Sequence, residues 1–116
     1  MYLRALATIP NLTVQLGHYL SHARSMPLAH PPPGGPKFAM VVKTEEKGSD
    51  VNLATMLLLD AFRRDFEQAV VISNDSDLML PIDTVKNELK FPVGVIFPSS
   101  LPNRHQSVQL RKVATF

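Results

Sequence analysis

Asp75 and Asp77 stand one residue apart in the block Ser73-Asn74-Asp75-Ser76-Asp77, which closes the apolar run Ala69-Val70-Val71-Ile72. Two carboxylates held this close repel each other unless a proton or a cation lies between them. Mg²⁺ is the natural partner, because it takes oxygen ligands and is commonly held by one or two carboxylates, with water and phosphate completing its shell. Ser, Asn and Asp are also good helix N-caps, and Leu78, Ile82, Val85 and Leu89 follow at helical spacing. Capping accounts for one acid and does not call for the whole block. Asp50 stands at the mouth of a second helical stripe, where N-cap is a common role for Asp.

The elements that must position these acids follow from periodicity. The run from Ala69 to Ile72 predicts a strand buried on both faces, of the kind found in parallel sheets, and in such sheets ligands bind at the carboxyl ends of the strands. Val51, Ala54, Leu57, Leu58, Ala61 and Phe62 predict a helix up to Arg64, and a further helix is predicted from about Leu78 to Lys90. Pro92-Val93-Gly94-Val95-Ile96-Phe97 predicts another buried strand. Upstream, Tyr2 to Ile9 has helical spacing without an N-cap, and Leu12 to Leu20 begins with strand alternation. Residues 25 to 36, with their prolines and glycines, predict a loop or hairpin tip, and Phe38 to Val42 a returning strand. Strand-helix-strand-helix-strand order implies a layered α/β fold.

Composition bounds the class. With 116 residues, 45% of them hydrophobic, the chain suits a single domain spanning 1-116. It has no cysteine, so disulfides and zinc-thiolate sites are excluded, which suits a reducing cytoplasm. The apolar stretch Met56-Leu57-Leu58-Leu59 is stopped by Asp60 long before it could span a bilayer. The net charge of +2 conceals a partition, since all ten acids lie between Glu45 and Glu88. Arg4, Arg24, Lys37 and Lys43 lie on one flank, and Lys90, Arg104, Arg111 and Lys112 on the other. A cation-binding centre bordered by basic surface suits a polyanionic substrate, although charges so spread also suit ordinary solvated surface.

Four blocks, taken together, carry a resemblance. Lys47-Gly48-Ser49-Asp50-Val51-Asn52-Leu53-Ala54, Leu58-Leu59-Asp60-Ala61, the run from Ala69 to Leu78, and Pro92-Val93-Gly94-Val95 resemble the NYN domain, the LabA-like branch of the PIN-like nuclease superfamily. The likeness covers about residues 38 to 98 in order. It implies an α/β fold of the three-layer α/β/α Rossmann-like sandwich type, with a mainly parallel sheet, and an endoribonuclease activity dependent on Mg²⁺ or Mn²⁺. It further implies that Asp50, Asp75 and Asp77 form part of the metal site, with the Ser73 hydroxyl beside it. Asp50, Asp75, Asp77 and Ser73 are therefore the candidate catalytic residues, and Lys47, Arg104, His105 and Lys112 the candidate RNA-binding ones.

The chain departs from the family pattern at one point. NYN domains open with an inner strand bearing an Asp, and here no acid precedes Glu45. This is the pattern expected of a domain shortened at its amino end and, by its abrupt finish at Phe116, at its carboxyl end, or of a copy that has lost activity. Asn74 stands where the family often has Gly, a change a left-handed backbone would accept. The alternative function is a degenerate PIN-like module that binds RNA or protein as a regulator. A sheet deprived of an inner strand also predicts a homodimer or higher self-association.

Overall fold

The computed structural model describes residues 1–98 and 105–116. The chain divides into two compact units, residues 1–49 and residues 50–116. In the first, a short exposed helix α1 (Tyr2–Leu6) is followed by an antiparallel ribbon of β1 (His18–Pro27) and β2 (Phe38–Lys47), with His18 opposite Lys47 and Pro27 opposite Phe38. The connection is the Pro/Gly-rich tip, closed by Leu28 N–H donating to Lys37 O at 2.9 Å, with Gly34 at φ 68°. Pairing begins at His18, later than the alternation at Leu12 predicts. Gly17 is the entry point: a Cβ there would lie 2.7 Å from the backbone oxygen of Lys47, so glycine lets the chain close on the end of β2. The ribbon buries none of its residues.

The second unit holds the core. Helix α2 (Ser49–Arg63) precedes β3 (Ala69–Ile72), and β3 is paired in parallel with β4 (Val93–Ile96), Ala69 standing opposite Val93. Between them the chain winds through a 3-10 turn (Ser76–Leu78), α3 (Met79–Asp83) and a wide π turn (Thr84–Glu88), and α4 (Val108–Val113) follows. The predicted helical stripe is real: Leu78, Ile82 and Val85 are buried with Leu57, Ala61, Val71, Val93 and Leu110 in one cluster. Lys86 Nζ donates to Val113 O at 3.0 Å and Ala114 O at 3.2 Å, satisfying carbonyls at the end of α4. Beyond α4, Thr115 N–H donates to Val93 O at 2.7 Å and Val95 N–H to Phe116 O at 3.0 Å.

The three-layer, mainly parallel sandwich is not what the chain forms. Among the described residues its sheets have two strands each, one antiparallel and one parallel. The strand buried on both faces is corrected as well. Val71 packs on the core, whereas Val70 is 50% and Ile72 64% exposed, as is Ile96 at 53% opposite Ile72. A short run of β-branched residues satisfies a strand covered on one face as readily as on two, and only the helices present decide which.

Candidate functional site

The acid block sits where β3 ends. Ser73 N–H still donates to Ile96 O at 3.0 Å, the last backbone bond across the pair. The chain then turns, and two side chains direct it. Ser73 Oγ accepts from Asp75 N–H at 3.0 Å, and Asp75 Oδ1 accepts from Asp77 N–H at 3.0 Å. Asp75 thus caps the 3-10 turn, with extended backbone at φ −83° and ψ 115°. Ser73 and Asp75 are half-buried and Asp77 is exposed. The capping and the functional readings of Asp75 are compatible, because capping engages only one carboxylate oxygen.

Asn74 is the residue that sequence reasoning misjudged. Among the described residues other than glycine, positive φ falls on Asn11, Arg64 and Lys90 and not on Asn74, so the left-handed explanation fails. Its side chain acts instead: Nδ2 donates to His105 O at 3.1 Å and Oδ1 accepts from Ser107 N–H at 2.7 Å. Ser107 Oγ in turn accepts from Leu110 N–H at 3.3 Å as the N-cap of α4. Asn74 therefore fastens the segment before α4 to the acid turn. No local signal announces this, since the partners are 31 and 33 residues away.

The predicted residues are only partly brought together. Ser73, Asp75, Asp77 and the backbone of His105 converge on this turn. Asp50 lies in the first turn of α2, inside the helix rather than at its cap. Among the described residues, no group of three or more His, Cys, Asp or Glu side chains is placed to hold a metal ion, so Asp50 does not join the other two acids in such a group. Lys112 is exposed on α4, Arg104 lies outside the described residues, and Lys47 ends β2, its Nζ 3.3 Å from Glu45 Oε2. Asp75 and Asp77 remain as two carboxylates on one short turn, the first half-buried with one oxygen engaged by Asp77 N–H and the second exposed. They do not make a closed cage.

Among the described residues no helix is long and apolar enough to cross a membrane. No protein-family model and no solved structure matches the chain. Over 72 residues, 62% of its length, the chain is 35% identical to a protein of Pseudomonas putida described as 6-hydroxy-3-succinoylpyridine 3-monooxygenase, and it spans 23% of that protein.

Proposed function

We propose that the chain is an NYN-type, metal-dependent endoribonuclease domain that hydrolyses RNA phosphodiesters in the cytoplasm. The observation that carries this reading is the turn at the carboxyl end of β3, where the Asp75 carboxylate and the Ser73 hydroxyl are locked by backbone N–H donors 3.0 Å away and Asp77 is exposed beside them. Asp75 and Asp77 would hold Mg²⁺ or Mn²⁺, which when bound activates a water and neutralises charge on the phosphate. Ser73 is a positioning residue: its hydroxyl fixes the amide of Asp75 and so the direction of that carboxylate. His105, held at the turn by Asn74, and Lys112 on α4 supply phosphate contacts that give affinity without sequence choice. The oxygenase activity in the name of the Pseudomonas protein belongs to a whole of which this chain spans 23%, and is not carried over.

A second reading, a degenerate PIN-like module that binds RNA or protein, is favoured by one observation: Asp50 does not join Asp75 and Asp77 in a metal-holding group. Two measurements separate them. Titration with Mn²⁺ should raise the melting temperature of the parent and leave Asp75→Asn/Asp77→Asn unmoved. A gel assay on single-stranded RNA should then show cleavage that disappears with EDTA or Asp75→Asn. Binding of Mn²⁺ and RNA without cleavage supports the module; equal stabilisation of parent and double variant removes the metal site from both readings.

A further inference from the structure

The ribbon of β1 and β2 sorts its charges by face. Side chains alternate along a strand, and residues directly opposite in an antiparallel pair share a face. The register therefore puts His18, Leu20, His22, Arg24 and Met26 on one side together with Lys47, Glu45, Lys43, Val41 and Ala39. The ion pairs of Glu45 with Lys43 and with Lys47 lie along that face. The other side carries Tyr19, Ser21, Ala23 and Ser25 with Glu46, Thr44, Val42 and Met40, and the hydrogen bond between the hydroxyls of Ser21 and Thr44, 2.7 Å, runs across it. Every lysine and arginine of the two strands is thus on one face, with a single acid among them.

We propose that this face, through His18, His22, Arg24, Lys43 and Lys47, is a docking strip for the backbone of single-stranded RNA. The choice of RNA among polyanions rests on the proposed nuclease reading; the strip itself does not. Same-face residues recur about every 6.7 Å along a strand, so the stretch from His18 to Arg24 covers about 20 Å. That is a narrow track, suited to one polyanionic strand. A lipid surface suits it less: the four most exposed apolar side chains of the ribbon, Tyr19 and Val42 at 75% with Met40 and Phe38, lie on the opposite face and would be turned away from a bilayer that met the cations. Glu45 holds Lys43 and Lys47 in place and also subtracts from the charge they offer, so it limits affinity.

The test uses the full 116-residue chain with fluorescein-labelled oligouridine, in EDTA so that cleavage contributes nothing, with anisotropy followed across a KCl series. Log affinity should fall linearly with log salt, and Lys43→Ala/Lys47→Ala should lower that slope by about 1.4, roughly 0.7 for each lost phosphate contact on a single strand. Glu45→Gln should move affinity the other way, tightening binding several-fold, a gain no unfolding could mimic. Unchanged affinity and slope in both variants overturns the strip. If Arg111→Ala/Lys112→Ala then abolishes binding, the RNA reading survives without the ribbon. If no oligouridine binds but phosphatidylserine vesicles do, the strip is a lipid surface and the RNA proposal falls.

Discussion

At the acid turn one side chain has two duties that mutation can separate. Asp75→Asn keeps an oxygen to accept from Asp77 N–H, so the turn should persist, whereas Asp75→Ala deletes the cap and should cost about 1 kcal/mol of stability. Both should abolish cleavage, so Asp75→Asn should reach wild-type stability by denaturant melt without turnover. Glu45 gives a second prediction. Hydrogen bonds from Lys43 and then Lys47, reinforced by their charges, lower its pKa from 4.5 to about 2. A carboxyl group so depressed contributes its stabilisation above the ordinary carboxylate range and loses it as pH falls towards 2. The three side chains lie at the surface, partly open to solvent, so the effect is local: proton NMR of the Lys43 and Lys47 side chains should shift near pH 2 rather than near 4.5, and should not in Glu45→Gln.

Among elements, the segment from Ser76 to Glu88 shows how far the sequence could be read. Its buried stripe of Leu78, Ile82 and Val85 was legible, because burial of one helical face imposes its own period. Its break into a 3-10 turn, a short α-helix and a π turn was not, since those choices depend on the Asp75 cap and on how tightly the core is filled. The residues of the acid turn were named in advance, but not the Asn74 clamp, whose partners are distant in the chain. The hairpin around the Pro/Gly-rich tip was legible but its bounds were not: the strand expected from Leu12 pairs only from His18 to Pro27, because a ribbon with no buried face has no hydrophobic pattern to fix its ends. Ile82 is fully buried, so Ile82→Ala should cost about 2 to 4 kcal/mol in a urea melt. That is a large share of a small domain's stability. Strand β3, paired on one side only among the described residues and bearing exposed Val70 and Ile72, predicts association. Light scattering should report a mass above that of one chain, reduced by Ile72→Lys.

Across the whole molecule, the two units differ in what holds them. Among the described residues the buried ones all lie between Leu57 and Leu110, and none belongs to the ribbon. A two-stranded ribbon without a core is marginal in water, so hydrogen exchange should be fast through β1 and β2 and slow at Val71, Ile82 and Val93. Bound oligouridine should slow exchange in the ribbon. The tail after α4 bears on how copies of the chain assemble. Thr115 and Phe116 occupy the outer edge of β4, and the Phe116 ring fills the space above Gly94, where a Cβ would lie 2.4 Å from it. Of the two edges of this parallel pair, one is already taken by the chain itself. Among the described residues the free edge of β3 is the other one, so association through it consumes that edge in both partners, which gives a closed two-fold pair and not a growing fibre. Whatever the concentration, the assembly built on this sheet should stop at two.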